Sequence, residues 1–469
     1  MPVVFCGICP HPPVMVPEVG QGRDEDVSHT KGAMLELGRR VSDSGADTLV
    51  MITPHGAVFS DGIGINAVKR LEGDLGRFGA AGVRFALNND VELMQAIGKV
   101  AAGKGITVAA LDNALAGRYG VSTGLDHGIT APLYFIREAG VNLPLVHVSM
   151  GLLPFHELYA FGVAVREAAD QLNRKIAVLA SADLSHRLTP DAPAGYHPAG
   201  KEFDSRLVEL VGAADVEGIC GLDPELAENA GECGLRSIIM MLGTLDGVTI
   251  GSEVLSYEGP FGVGYMVAAL VPGARDDNRL FLGKLRQAAL YRAGAKRAAE
   301  SFPVRLARQV LERYFSGAKN KLFDPAQVPE EFKNNRAGVF VSLKKHGQLR
   351  GCIGTIAPTY NTIAEEIAHN AISAAIRDPR FNPVEPGELP ELDISVDVLT
   401  DPEPVQGLNE LDPRRYGVIV SAGGRRGLLL PDLEGINTVE EQVNIARQKA
   451  GIGPGEAVRL ERFEVVRYR

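Results

Sequence analysis

The first 272 residues alternate short, almost continuous apolar runs with longer segments of helical periodicity. The apolar runs are PVVFCGIC, DTLVMIT, LPLVHVSM, KIAVLAS and GYMVAALV, and the helical segments include HTKGAMLELGRRVSDSG, DVELMQAIGKVAAGKG and FHELYAFGVAVREAADQLNR. Strands that are apolar on both faces are typical of a sheet covered by helices. The pattern predicts an α/β domain around a largely buried, mixed or parallel sheet, and ligands of such sheets bind at the carboxyl ends of the strands.

The chain has 469 residues, and a single hydrophobic core stops growing well below that length. After the last apolar run comes VPGARDDNR, a polar and turn-rich segment. We therefore predict an N-terminal domain over residues 1–272, a linker over 273–284 and an α+β domain over 285–469. In the second domain a helical stretch from Leu280 to Phe315 precedes the hairpin-like AGVFVSLKKHGQLRGCIGTI and a helix with Asn361 as its predicted N-cap.

Charge and composition exclude several classes of function. The formal net charge of −10 and the lack of a dense Lys/Arg tract argue against nucleic acid as a partner. No run reaches the ~18 apolar residues that a membrane span needs, and no signal peptide is recognisable, so we expect a cytoplasmic protein. Cys6 and Cys9 have C-x-x-C spacing, but they lie inside an apolar strand, where small buried side chains explain them without a metal.

Four histidines stand at loop positions next to predicted strands and helices. They are His11 in CPHPP, His55 in TPHG, His127 in LDHG and His186 in SADLSH. Each has a structural explanation when taken alone, but together they indicate one shared cleft at the strand ends. Imidazoles bind iron, zinc and copper, and two of them with a third ligand on one face leave coordination positions open. His147 lies within a strand and is predicted to be a core residue; His29, His156 and His197 are given no role.

The segment ENAGECGLRSIIMMLG offers the third ligand. Glu232 precedes an apolar helical run, where the positive end of the helix dipole is expected to keep its carboxylate ionised. Stabilisation of that helix start would explain Glu232 equally well without a metal. Cys233 is the alternative ligand and would favour softer metals, while Glu253 is a weaker third choice.

The motifs CPHPP, TPHG, LDHG, SADLSH and AGECG follow one another in this order across nearly all of residues 1–272. The set resembles the LigB-like class III extradiol ring-cleavage dioxygenases and their Memo-like relatives. The resemblance implies that Fe(II) is held by His11, His55 and Glu232, that His186 is the catalytic acid/base and that His127 lies at the substrate. Memo-like members carry a cysteine where the dioxygenases carry a carboxylate, and this chain has both side by side.

Asp183 lies three residues before His186. Its carboxylate is a candidate to orient the imidazole, because a histidine that moves protons is commonly held by a hydrogen bond to its other ring nitrogen. An aspartate that forms the turn after a strand is the equally good alternative.

The residue types fit a dioxygenase that acts on a small aromatic or heteroaromatic substrate with adjacent oxygen-bearing carbons. Three protein ligands leave three positions on the metal, which suffice for a bidentate substrate and O2. Imidazole titrates near neutral pH and can take a substrate proton and return it. Copper or zinc are alternative metals. The competing functions are a Memo-like metal-binding or redox scaffold without turnover, and a metal-dependent hydrolase that uses bound water.

The second half contains LRGCIGTI and RDPRF, which resemble the hallmarks of the AMMECR-type family. That resemblance implies a radical-SAM protein as a candidate partner; a second copy of the chain is another. Arg350 and Cys352 are predicted to share one face of a strand, where the guanidinium would favour a nucleophilic thiolate. His346 and His369 could also approach the thiol, although a surface turn and a solvated helix face would explain them as well. Packing as a small core residue is the alternative for Cys352. Arg377, Asp378 and Arg380 are expected to form an ion pair at a helix end or to bind an anion.

Overall fold

The computed structural model describes residues 1–318, 322–433 and 435–469. The chain divides into two compact units, Met1–Tyr291 and Arg292–Arg469. Residues 273–284, predicted to be a linker, form the end of a strand, a 3-10 turn at Asp277–Arg279 and the first turn of a helix that runs to Ala298. The division between the units falls within that helix rather than in an irregular segment.

The first unit is built on a sheet of eight strands, and the mixed, buried sheet predicted from the sequence is confirmed. The strands of the unit are β1 (Val3–Cys9), β2 (Thr48–Thr53), β3 (Ile63–Asn66), β4 (Arg70–Leu75), β5 (Ala80–Asn88), β6 (Val108–Leu111), β7 (Leu145–Ser149), β8 (Ile176–Ser181), β9 (Val248–Glu258) and β10 (Tyr265–Arg275). Their order in the sheet is β6-β3-β7-β2-β8-β1-β10-β9, and β4 pairs with β5 in a separate hairpin. The central strands β7, β2, β8 and β1 run parallel, so their carboxyl ends share one edge of the sheet.

Helices cover both faces of this sheet. They are α1 (Pro17–Gly20), α2 (Ser28–Asp43), α3 (Val91–Gly103), α4 (Asn113–Tyr119), α5 (His127–Glu138), α6 (Phe155–Gln171), α7 (Pro198–Gly212), α8 (Val216–Cys220), α9 (Pro224–Ala230), α10 (Leu235–Gly243) and α11 (Phe281–Ala298). Side chains of β2 alternate between two cores: Val50 and Ile52 pack with residues of α3, α6 and α10, whereas Leu49 and Met51 pack with residues of α2 and α5. Burial on both faces explains why the strands read as continuous apolar runs.

The second unit has the predicted α+β composition. Its helices are α12 (Phe302–Phe315), α13 (Glu330–Lys333), α14 (Ile363–Ile376) and α15 (Val439–Lys449). Its strands are β11 (Val339–Lys345), β12 (Gln348–Gly354), β13 (Leu392–Leu399), β14 (Glu403–Val405), β15 (Gly417–Ala422), β16 (Arg425–Leu429), β17 (Arg459–Phe463) and β18 (Val465–Tyr468). They form two four-stranded sheets, ordered β12-β11-β13-β18 and β14-β17-β15-β16.

Two local predictions for this half need correction. The helical stretch from Leu280 to Phe315 is two helices, because Pro303 occupies the first turn of α12 and cannot continue α11. The N-cap of α14 is Thr362, whose hydroxyl accepts the N–H of Glu365, rather than Asn361. In the part of the chain that is described, no helix combines the length and the apolar character that crossing a membrane requires.

Candidate metal centre

Two imidazoles meet at the carboxyl ends of β1 and β2, as the sequence predicted. His11 follows β1 by two residues and His55 follows β2 by two residues, and both strands pair in parallel with β8 between them. Their Nε2 atoms lie 2.8 Å apart, and the ring planes are inclined at 85°. Proline residues follow His11 and precede His55, which ends the strand hydrogen bonding and turns both side chains out of the sheet.

Cys233, in the loop before α10, completes the group. One ligand atom from each of His11, His55 and Cys233 lies within 4.8 Å of the others, and the sulfur is 3.6 Å from Nε2 of His11. Glu232, the first choice from the sequence, is not part of this group. Its Oε2 accepts the N–H of Leu235 at 2.6 Å, so the carboxylate caps the start of α10. The structure therefore places the alternative ligand, Cys233, beside the imidazoles.

The environment of Glu232 also differs from the expectation that the helix start keeps it ionised. Burial raises the pKa of Glu232 to about 7, although the backbone N–H of Leu235 and the charge of Arg236 act in the opposite direction. Loss of hydration thus outweighs the stabilisation by the helix terminus. Burial likewise raises the pKa of the Cys233 thiol well above its ordinary value.

Both histidines of the group are neutral over the physiological range. Burial, with a smaller contribution from the charges of neighbouring histidines, lowers the pKa of His11 to about 3. Partial burial lowers the pKa of His55 to about 3 as well, again with the neighbouring imidazoles contributing. A neutral imidazole keeps a lone pair available for a metal ion.

Ser181 and Asp183 hold His11 in place. The Ser181 hydroxyl lies 2.9 Å from Nδ1 of His11, which directs Nε2 towards His55 and Cys233. Asp183 accepts the backbone N–H of His11 at 2.8 Å, and burial raises the pKa of this carboxyl to about 6. The sequence indicated Asp183 only as a partner of His186, and it did not indicate Ser181, which ends β8, the strand between the two that deliver the imidazoles.

We had expected Asp183 to orient His186, but the contact comes from the main chain instead. Its Nδ1 lies 2.9 Å from the carbonyl oxygen of Gly231. Because a carbonyl only accepts, Nδ1 carries the proton and Nε2 retains its lone pair. Gly231 lies two residues before Cys233, so this hydrogen bond holds the imidazole of His186 beside the loop that carries Cys233.

His127 stacks on His55 with ring centroids 4.2 Å apart. On the same cleft, the ring centroid of Phe78 lies 5.4 Å from that of His127. Sequence reasoning missed Asp126, which positions both histidines. Its Oδ1 accepts the N–H of Gly128, at the start of α5, and the hydroxyl of Thr53. The same hydroxyl accepts the backbone N–H of His55. An aspartate just before a predicted helix start is the N-cap signal that could have indicated this role.

The remaining candidates lie outside the group. His147 is buried as predicted, and its Nε2 lies 3.3 Å from Oδ2 of Asp126. Cys6 and Cys9 are buried and unpaired, and burial raises the pKa of Cys6 to about 12. Glu253, the weaker third choice, forms an ion pair with Arg40.

Comparison with known proteins identifies the family. Residues 6–268 match the model of the family described as the catalytic LigB subunit of aromatic ring-opening dioxygenase. This chain belongs to the LigB family. Residues 304–469 match the AMMECR1 family, so the LigB domain is followed by an AMMECR1 domain.

Relatives match this chain over different lengths. Protein CA_C1420 of Clostridium acetobutylicum is 42% identical over 462 residues, which cover 98% of each chain. A Thermotoga maritima protein is 53% identical over 169 residues, which are 35% of this chain and 96% of the relative. The crystal structure of the uncharacterized protein PH0010 from Pyrococcus horikoshii covers 35% of this chain and 88% of its own, at 34% identity and a TM-score of 0.33.

In the AMMECR1 domain, the guanidinium of Arg350 forms its hydrogen bonds with residues other than Cys352. The guanidinium of Arg350 donates to both carboxylate oxygens of Glu388 and to the carbonyls of Asn382 and Pro383, which ties β12 to the segment after α14. Of the candidate neighbours, His346 lies 3.4 Å from Glu391 and His369 stacks on a tyrosine ring.

Asp204 holds the turn that carries His186 in the LigB domain, and its substitution should change the pH dependence of stability. Its buried carboxylate accepts the N–H of Ser185 at 2.8 Å and the hydroxyl of Tyr257 at 2.7 Å. Burial raises the pKa of Asp204 to about 6, from an ordinary value of 3.8. The folded chain therefore binds a proton more tightly than the unfolded chain, and this contribution to stability is lost as the pH rises towards 6.

We expect Asp204→Asn to remove this loss of stability with rising pH. Between pH 4 and pH 7 the wild-type chain should lose about 2 kcal/mol of unfolding free energy relative to the variant. Urea unfolding of the metal-free chain across this range measures the difference in slope. Asp191→Asn, at an exposed position, should reproduce the wild-type slope. Parallel slopes for Asp204→Asn and wild type would contradict the prediction.

Proposed function

We propose that the LigB domain is an O2-dependent oxidoreductase for small aromatic compounds, with a metal ion held by His11, His55 and Cys233. The observation that carries the proposal is the convergence of these three ligand atoms within 4.8 Å, with His127 stacked on His55 and His186 held beside the loop of Cys233. The family match to a catalytic subunit of ring-opening dioxygenases supports the same reading.

The donor set fits a transition metal. The two Nε2 atoms are 2.8 Å apart, so both imidazoles could bind the same ion, since metal–nitrogen bonds are about 2.0–2.1 Å long. Two imidazoles with one thiolate suit iron, copper or zinc better than magnesium or calcium, which prefer oxygen ligands. Metal binding would release the thiol proton of Cys233, which is otherwise strongly retained.

Iron is the metal that the LigB assignment favours. Bound iron would supply the redox chemistry that couples an electron-rich aromatic ring to O2. The protein supplies the proton transfers. With Nδ1 donating to Gly231, His186 presents its Nε2 lone pair to the cleft and can take the proton of a phenolic hydroxyl. After ring oxidation the same nitrogen returns that proton to the product.

The walls of the cleft favour a flat substrate. His127 and Phe78 offer aromatic faces next to the ligand His55, and aromatic pairs gain energy from offset stacking and edge contacts. A substrate with two adjacent oxygen-bearing carbons could bind the metal through both oxygens, which explains why three protein ligands suffice.

Cys233 favours a second candidate function, a metal-binding redox scaffold without ring cleavage. A thiolate is softer than the carboxylate of a facial triad, and it suits copper and zinc as well as iron. Under this reading the domain binds metal with the same three residues but consumes no O2 with aromatic substrates.

Anaerobic metal titration of the full chain tests the ligand assignment. We expect Cys233→Ala and His55→Ala to weaken Fe(II) binding by at least about 100-fold, because a directly bound ligand matters more than the supporting residues that contribute 10–100-fold. Glu232→Gln keeps the acceptor for the N–H of Leu235 and should change the affinity by less than about threefold. Loss of binding in Glu232→Gln alone would instead assign the carboxylate as the third ligand.

Oxygen uptake separates the two functions. The iron-loaded chain, given a panel of catechols, should consume O2 in proportion to substrate. Metal binding with no uptake across the panel would favour the scaffold. If the zinc-loaded chain converted the same substrates to product equally well without O2, both functions would be ruled out and a hydrolase would be favoured.

A further inference from the structure

Phe78 stands at the tip of the β4–β5 hairpin, which is separate from the main sheet of the LigB domain. The tip is the 3-10 turn Gly76–Phe78 between the two strands. The side chain of Phe78 is 40% exposed, so a large part of its ring faces solvent rather than the core. What the ring does therefore depends on which part of the surface the hairpin brings it to.

A series of ring contacts connects Phe78 to the candidate metal centre. The ring centroid of His127 lies 4.2 Å from that of His55 and 5.6 Å from that of His11, so His127 adjoins both imidazoles. Phe78 is the next ring outward, and its plane is inclined at 60° to that of His127. Because of this angle Phe78 does not extend the flat face of His127 but stands across it. The cleft therefore has a wall, formed by Phe78, on the side of His127.

The base of the hairpin tip is fixed by packing. Leu75 and Ala80, which flank the turn, are both buried and pair with each other across the hairpin. Within the turn, the carboxylate of Asp74 accepts the N–H of Gly76 at 2.8 Å. A turn of this length between two buried residues leaves little freedom for the backbone that carries Phe78.

The hairpin is also fixed relative to His127. The N–H of Leu125, two residues before His127, donates to the carbonyl of Glu72 in β4 at 2.8 Å. A Cβ on Gly73 would lie 2.7 Å from the side chain of Leu125 and 2.8 Å from its carbonyl oxygen, so the two segments touch through their backbones. The distance between Phe78 and His127 is therefore set by direct contacts below the tip.

We propose that Phe78 sets the upper size limit of the substrate, so that the LigB domain takes single-ring diols and excludes fused two-ring diols. This inference rests on the function proposed for the same site. A diol that binds through two adjacent oxygens directs the rest of its skeleton away from the metal, along the face of His127. A second fused ring would meet Phe78 there. Because the hairpin is held by backbone contacts, the wall does not give way, and the larger diol is rejected by steric overlap.

Phe78→Ala removes the wall and keeps the rest of the cleft. The side chain is partly exposed, so its loss should cost little stability. Phe78→Tyr is the matched variant, because it keeps a ring of the same shape and should keep the size limit. Comparison of the two separates the effect of the ring from that of any change at this position.

Anaerobic binding to the iron-loaded full chain tests the proposal without turnover. The single-ring probe is 4-nitrocatechol, whose absorption spectrum changes when its oxygens bind a metal. The two-ring probe is 2,3-dihydroxynaphthalene, which is measured by its displacement of the first. For wild type we expect the two-ring diol to bind at least about 100-fold more weakly, and Phe78→Ala should bind it at least about tenfold more tightly than wild type does. The affinity of Phe78→Ala for 4-nitrocatechol should fall by less than about tenfold, the range of one aromatic contact.

Tyr291→Ala is the control, since it removes an exposed aromatic ring from α11. It should leave both affinities at their wild-type values, as should Phe78→Tyr. Equal affinity of wild type for the two diols would overturn the proposal, and so would unchanged binding of the two-ring diol by Phe78→Ala. If neither diol bound to wild type, the size limit and the proposed function would fall together. The expected binding pattern without O2 uptake would support the size limit and contradict the ring-opening function.

Discussion

His186→Gln should lower substrate-dependent O2 uptake by the LigB domain about 10²- to 10⁴-fold while Fe(II) affinity stays within about threefold of wild type. The imidazole lies outside the group of three ligand atoms, and its Nδ1 is committed to the carbonyl of Gly231. Glutamine can still donate to that carbonyl, but it cannot accept and return a proton. The variant therefore removes acid/base function with little change of shape.

Two measurements on the same preparation decide this prediction. Anaerobic Fe(II) titration reports the metal site, and an oxygen electrode with a substrate from the catechol panel reports turnover. His29→Gln, at an exposed position on α2, is the matched control and should have wild-type values in both. If His186→Gln also abolished Fe(II) binding, His186 would be a ligand. If uptake were unchanged, the proton would be handled by another group.

The convergence of His11 and His55 was predictable because it follows from topology. Both residues come directly after apolar runs that read as buried strands, and parallel strands present their carboxyl ends at one edge. The exact pairing with β8 between the two strands was not needed for that conclusion.

The choice between Glu232 and Cys233 was not predictable, because it depends on the direction of one loop. Gly231 has a positive φ of 63°, and a Cβ on Gly234 would meet the backbone of Ala182 at 2.7 Å. This close approach to the end of β8 turns Cys233 towards the imidazoles and leaves Glu232 at the start of α10. Adjacent residues can point in opposite directions, and sequence alone gives no measure of which one faces the cleft.

The sequence analysis also missed hydrogen-bond partners that come from the main chain or from distant segments. The carbonyl of Gly231 orients His186, and since every residue has a carbonyl, no side-chain pattern indicates it. In the AMMECR1 domain the sequence suggested Arg350 as the partner of Cys352 because the two are close in the chain. In the structure Arg350 pairs with Glu388, and Arg380 interacts with the thiol instead.

Gly243→Ala should destabilise the LigB domain by about 3 kcal/mol and weaken its metal site. Helices α6 and α10 touch through two glycines. A Cβ on Gly243 would lie 2.0 Å from the carbonyl oxygen of Tyr159, and one on Gly162 would lie 2.0 Å from that of Met240. Backbone atoms cannot move aside as side chains do, so α10 must shift as a whole. Because Cys233 lies only two residues before α10, the shift also displaces the sulfur from His11.

Calorimetry of the full chain measures both consequences. The transition of the LigB domain is the one that added Fe(II) raises, since a ligand stabilises only the domain that binds it. For Gly243→Ala that transition should fall by about 5–10 °C, and Fe(II) should raise it less than in wild type. Gly98→Ala, in the middle of α3 with open space around the new methyl, should leave the transition unchanged or raise it slightly. An unshifted transition in Gly243→Ala would mean that the helix backbones are not in contact. A lower transition with a full Fe(II) response would mean that α10 does not control the position of Cys233.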